Sequence, residues 1–205
     1  MPSSRPLRAD ARRNRESLLA AAREAFLAAD DVHVEEIARR AGVAVGTLYR
    51  HFETREALVA EVYRQEVAEL CEALARLLDR HAPDEALRTF LLLLVEHAAV
   101  GRGMGDVLES IMATDSPVFD DARDEMARAL DELLDAGVAA GVVRGGVSGR
   151  TVLRALGGIC GMRANGWEDD AVRIAAILYD GLRYGAADHG GLDRNTPGSA
   201  ARSTS

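Results

Sequence analysis

The chain has 205 residues, 48% hydrophobic and 28% charged, with a formal net charge of -8 and a mean hydropathy of -0.08. That is enough apolar material for one domain or two small ones, and the acidic balance excludes a surface coated throughout in nucleic-acid-binding charge. No apolar run approaches the ~20 residues that cross a bilayer, and the Arg-rich start lacks the apolar stretch of a secretory leader, so a cytoplasmic, soluble protein is expected.

Only 4% of residues are aromatic and Ala and Leu dominate, which favours helices. Strict apolar–polar alternation is absent, so the expected fold is all-α. Residues 1–9 read as a flexible basic arm. Leu18, Leu19, Ala22, Ala25 and Phe26 recur at helical spacing and predict a helix near 11–29. Short helices follow at 34–41 and 44–52, separated by Gly42, which suits the left-handed residue just past a helix end. Thr54 caps a long helix to about Arg80, with apolar positions Leu58, Val62, Leu70, Leu74, Leu77 and Leu78. Pro83 starts a helix to about Val100. The segment from Gly101 to Gly105 reads as a break before a short helix at 106–113. Ser116-Pro117 opens a helix to Ala136, Gly141 to Gly149 is a connector, and the last helices are expected at 151–163 and 170–186. The tail, 188–205, is rich in Gly, Ser, Thr and Pro and reads as disordered.

Charge is distributed unevenly. All 25 basic residues are Arg; residues 1–55 hold 10 of them against 8 acids, and residues 56–205 hold 15 against 25. The basic excess is local, as expected if one small module meets phosphates. Cys71 and Cys160 lie too far apart for a metal cluster or disulfide framework, so no metal or cofactor is expected.

The segment from Val34 to Arg55 carries the functional signal. Two short helices joined by a tight Gly-containing turn are the geometry of a helix-turn-helix, whose second helix enters the DNA major groove. Ile37, Ala38, Val43, Leu48 and Phe52 form its small core. Ala44, Val45, Gly46, Thr47, Tyr49, Arg50 and His51 then lie mainly on other faces. Thr47, Tyr49 and His51 are of the type that grips phosphate oxygens. Ala44 and Gly46 permit close approach, Val45 suits a thymine methyl, and Arg50 suits a guanine or a phosphate. Arg55, and Arg12 and Arg13 near the start of the first helix, are further phosphate candidates, with Arg5 and Arg8 in the arm.

The runs Val34-Glu-Glu-Ile-Ala-Arg-Arg-Ala-Gly-Val43, Gly46-Thr-Leu-Tyr-Arg-His-Phe52 and Arg55-Glu-Ala-Leu58 resemble the TetR family of bacterial transcriptional regulators. The resemblance implies an all-α homodimer: a three-helix DNA-binding domain at residues 10–55, then a six-helix ligand-binding and dimerisation domain at 56–187. It also implies double-stranded DNA as partner, a palindromic operator, and release by a small-molecule effector. Two positions depart from the family pattern. His33 stands where Ser or Thr often caps the second helix, and Ala44 where a polar residue is common; each weakens a cap by ~1 kcal/mol.

Candidates for the effector pocket are Phe90, His97, Met104, Met112, Phe119, Met126, Arg163 and Trp167, with Trp167 expected between the last two helices. Gly157 and Gly161, and Gly181 with Ile177 and Tyr184, are candidates for a four-helix bundle between subunits, because small residues allow close backbone approach. Two other readings stand beside the ligand-released repressor. One is a constitutive DNA-binding regulator with a filled core. The other is a helical enzyme, which the five scattered histidines (33, 51, 81, 97 and 189) do not favour: Glu96-His97 and Asp79-Arg80-His81 read as isolated pieces rather than a constellation of base, nucleophile and metal ligands.

Overall fold

Residues 5–29, 32–113, 117–160 and 166–184 are described in a computed structural model, without side chains for 5–9, 106, 109–113, 117–119 and 158–160. They form eight helices and no strand: α1 (Arg5–Ala28), α2 (Val34–Arg40), α3 (Val45–His51), α4 (Arg55–Arg80), α5 (Pro83–Ala113), α6 (Pro117–Ala139), α7 (Gly149–Cys160) and α8 (Trp167–Arg183). Proline opens α5 and α6, where its missing N–H has no intrahelical duty. Thr54 caps α4 as expected, its Oγ1 accepting from the Ala57 N–H at 3.1 Å.

Three expectations are corrected. Helix α1 runs back to Arg5, so residues 5–9 are helical rather than an arm; Pro6 sits in the first turn, which tolerates it. The expected break at Gly101–Gly105 shrinks to one residue. Gly105 alone is non-helical, at φ 61° and ψ -148°, a region open essentially to glycine. Helical geometry resumes at once, which makes one kinked α5 of two expected helices and reduces nine to eight. Trp167 is the first residue of α8, not part of a loop. The tail from 188 and Gly161 and Arg163 lie outside the described residues.

Two apolar cores stack end to end. The N-terminal core joins Leu18, Ala22 and Phe26 of α1, Ile37 and Ala38 of α2 and Leu48 of α3. It extends into Leu58, Val59 and Val62 of α4, and Val100, Met104 and Leu108 of α5. The C-terminal core joins Val67, Leu70 and Leu74 of α4, Leu87, Phe90 and Leu91 of α5, Met126, Leu130 and Leu133 of α6, Val152 of α7 and Ala171 of α8. Helices α4 and α5 therefore run through both cores, packed on each other. The apolar contact does not close at residue 55, because the first turns of α4 roof the helix-turn-helix.

Candidate nucleic-acid interface

Helix α2 ends where Gly42 takes φ 69°. The Gly42 N–H donates to the Arg39 carbonyl at 3.2 Å and the Val43 N–H to the Ala38 carbonyl at 3.0 Å. This paired closure satisfies the last carbonyls of α2 and redirects the chain. Helix α3 then starts at Val45. Ile37, Ala38 and Leu48 are almost completely buried and Phe52 nearly so, as expected of the small core. Both departures from ideal capping are visible: neither His33 nor Ala44 makes a side-chain cap. Glu36 turns instead to Arg39 and Arg40, with Arg39 Nη2 and Arg40 Nε each 2.7 Å from Oε1. Hydrogen bonds from Arg39 and then Arg40 hold its carboxyl down at about 2.

The face of α3 turned away from this core is open. Ala44, Gly46, Tyr49 and Arg50 are exposed, and Val45, Thr47 and His51 are half-buried. Tyr49 leaves 44% of its surface in solvent, a large share for an aromatic side chain. Among the described residues, no side-chain hydrogen bond or ion pair within the chain engages Thr47, Tyr49, Arg50 or His51. A Cβ on Gly46 would meet nothing within 4 Å, so packing inside the subunit does not require glycine there. The result is a short helix anchored from behind by Leu48, offering a cation, a phenol, a hydroxyl and an imidazole outward.

The Arg candidates divide. Arg12 lies 3.4 Å from Glu16 and Arg13 pairs with Asp10, all of them well exposed. Such pairs contribute ~0–1 kcal/mol and exchange readily for phosphate. Arg55 points inward: Nη2 donates to the Val32 carbonyl at 3.0 Å, tying the start of α4 to the connection before α2. That is a structural duty the phosphate expectation did not include. Arg15, unmarked in the sequence, does similar work. It stacks over the Phe52 ring at 5.2 Å and pairs with Glu61 of α4 at 2.9 Å.

Comparison with known proteins accords with this geometry. Residues 18–62 match the family described as bacterial regulatory proteins, tetR family, and residues 82–184 match the C-terminal domain of SbtR-like transcriptional regulators. A TetR transcriptional regulator of Streptomyces coelicolor is 38% identical over 82% of this chain and 98% of that one, with a TM-score of 0.66. The chain belongs to the TetR family of bacterial transcriptional regulators. A TetR regulatory protein from Mycobacterium vanbaalenii is 36% identical over 87% of this chain and 99% of that one, at a TM-score of 0.63. A ketosteroid transcriptional regulator of Mycobacterium tuberculosis, 24% identical over 82% of this chain and 94% of that one, shares the fold at a TM-score of 0.55.

In this TetR-family chain only some of the expected pocket residues come together. Phe90, Met126 and Trp167 belong to the buried C-terminal core, and Arg102 stacks over the Trp167 ring at 4.6 Å. Met104 is buried in the other core, beside the helix-turn-helix. Its place near the end of α5 carries it past the seam, which corrects the pocket assignment. His97 is committed to Glu66 of α4, its Nδ1 2.5 Å from Oε2. The side chains of Met112 and Phe119 lie outside the described residues. A surface depression of about 360 Å³ at the foot of α8 is lined by Gly141, Val142, Asp180, Arg183 and Tyr184; of the pocket candidates it holds none.

The glycine and α8 candidates share one property. A Cβ on Gly157 or Gly181 would meet nothing within 4 Å, so close packing inside the subunit does not explain either. Ile177 is 68% exposed and Tyr184 85%. With Gly181 they form an exposed stripe that runs along α8 and ends on its C-cap, Tyr184, at spacings of four and three residues. Cys71 is half-buried, and burial followed by the charge of Glu125 pushes its thiol up to about 11, which makes it a poor redox nucleophile.

Glu66 was not singled out by the sequence. It is 5% exposed and accepts from Arg23 Nε at 2.5 Å as well as facing His97. Burial pushes its carboxyl up, but the hydrogen bonds from His97 and Arg23 outweigh this and hold it below the usual range. The ionised pair therefore stabilises the fold above the ordinary carboxylate range, and this is lost as pH falls through the lowered value.

Proposed function

We propose that this protein is a cytoplasmic repressor that binds a palindromic operator as a homodimer and leaves it when a small molecule occupies the C-terminal domain. The observation that carries the reading is the outward face of α3, where Thr47, Tyr49, Arg50 and His51 are held in place yet uncommitted to the chain. Thr47, Tyr49 and His51 grip phosphates; Arg50 and Val45 read base edges; Ala44 and Gly46 let the backbone approach. Arg12 and Arg13 release their acidic neighbours and take phosphates at the flank. The Ile177–Gly181–Tyr184 stripe and Gly157 support pairing of α7 and α8 with a second copy, since large exposed apolar side chains beside open glycines suit close helix contact. Phe90, Met126 and Trp167, contributed by α5, α6 and α8, suit an apolar effector, with the Arg102 guanidinium at its edge.

The test is duplex binding by three variants. Gly46→Leu keeps or raises the melting temperature, because Gly costs up to ~1 kcal/mol in a helix and the site has room, yet it abolishes binding by standing between α3 and the duplex. Tyr49→Phe weakens binding to every sequence alike. Arg50→Ala relaxes preference at one base position by ~1–3 kcal/mol. Unchanged affinity in all three removes α3 as the recognition helix.

A further inference from the structure

Among the described residues Glu66 is the one buried charged side chain, and it sits where α4 passes from one core to the other, between Val62 and Val67. Its Oε1 accepts from Arg23 Nε on α1 and its Oε2 lies on Nδ1 of His97 on α5, each at 2.5 Å. An ionised carboxylate only accepts, so the ring nitrogen donates. A fully apolar cluster in place of Glu66, Arg23 and His97 together would serve stability as well, because a buried ion pair recovers little of its desolvation cost. What the carboxylate adds is direction: two short bonds to two different helices.

A second contact lies beside the first. Gly103, six residues beyond His97 on α5, presses on Phe26, three residues beyond Arg23 on α1. A Cβ on Gly103 would stand 1.9 Å from the Phe26 carbonyl oxygen. One contact permits α1 to pivot on α5; two, spaced along both helices, do not. We infer that Glu66 is a positioning residue for DNA binding, which with Arg23 and His97 sets the helix-turn-helix against α5. This rests on the dimeric reading above, because a dimer must hold its recognition helices one helical turn of DNA apart, about 34–36 Å, whereas a lone module adjusts freely.

The test uses the full chain and the duplex recovered from random DNA by the wild-type protein, intact or with one half-site scrambled. Binding is followed by fluorescence anisotropy at a temperature where circular dichroism shows each variant folded. His97→Leu is expected to weaken the intact duplex about tenfold and to leave the scrambled duplex within about twofold. His97→Gln, which still donates to Glu66, recovers most of the loss. Arg23→Met cuts the clamp from the other side and is read in the same way, so the result does not hang on one variant folding. The double variant is no worse than either single one, since either cut opens the same clamp. Wild-type affinity of His97→Leu for the intact duplex overturns the inference, and so does equal loss on both duplexes, the signature of a merely weakened domain. If the wild-type protein does not prefer the intact duplex, the dimeric reading itself fails and takes the inference with it.

Discussion

Gly103→Ala is expected to destabilise the protein by about 3 kcal/mol, a fall in melting temperature of roughly 6–12 °C for a chain of this size. The added methyl would stand 1.9 Å from the Phe26 carbonyl oxygen and 2.5 Å from its carbonyl carbon and Cα. All three are backbone atoms, so no rotamer change relieves the overlap; α1 must part from α5. The parting opens the N-terminal core where Phe26, Val100 and Met104 meet. Gly46→Ala is the matched control for stability, with nothing within 4 Å of the new methyl, and is expected to be neutral or stabilising. A Gly103→Ala protein that melts with the wild type contradicts the close seat of α5 on α1.

Ile177→Asp is expected to give a folded monomer whose affinity for the intact operator falls by about 100- to 10,000-fold, because two linked half-site contacts become one. Ile177 is 68% exposed on the single chain, so the change costs the subunit little. In the proposed dimer it buries an aspartate in the pairing of α8 helices, where an unpaired charge is costly. Sedimentation gives the mass and anisotropy the affinity. A variant that stays dimeric shows that the stripe on α8 is not the subunit interface.

The helix-turn-helix was legible because its determinants are local: Gly42 at a helix end, Leu48 and Phe52 four residues apart, Tyr49 and Arg50 between them. The residues behind it were harder to read. Glu66 lies 43 residues from Arg23 and 31 from His97, and no spacing rule joins them. One signal was present: the stripe Leu58, Val62, Leu70, Leu74 leaves its four-residue rhythm at position 66, and the buried carboxylate fills that gap. Gly103 was hidden for a different reason. Three glycines within five residues suggest a turn, but Gly103 is there for close helix contact and Gly105 alone for its backbone angles. Met104 looked like pocket lining because composition does not say which of two stacked cores a residue joins. Arg55 looked like a phosphate ligand because its carbonyl partner, Val32, lies across the loop before α2.

In the proposed dimer, α3 of each subunit reads one half of a DNA site. Selection of bound duplexes from a random pool by the full-length protein tests it most directly. The expected product is a palindrome whose half-site centres lie one helical turn apart or a multiple of it, about 34–36 Å per turn, with enrichment lost in Gly46→Leu. Recovery of no common sequence, or of a single unrepeated half-site, or of the same palindrome by Gly46→Leu, would contradict it.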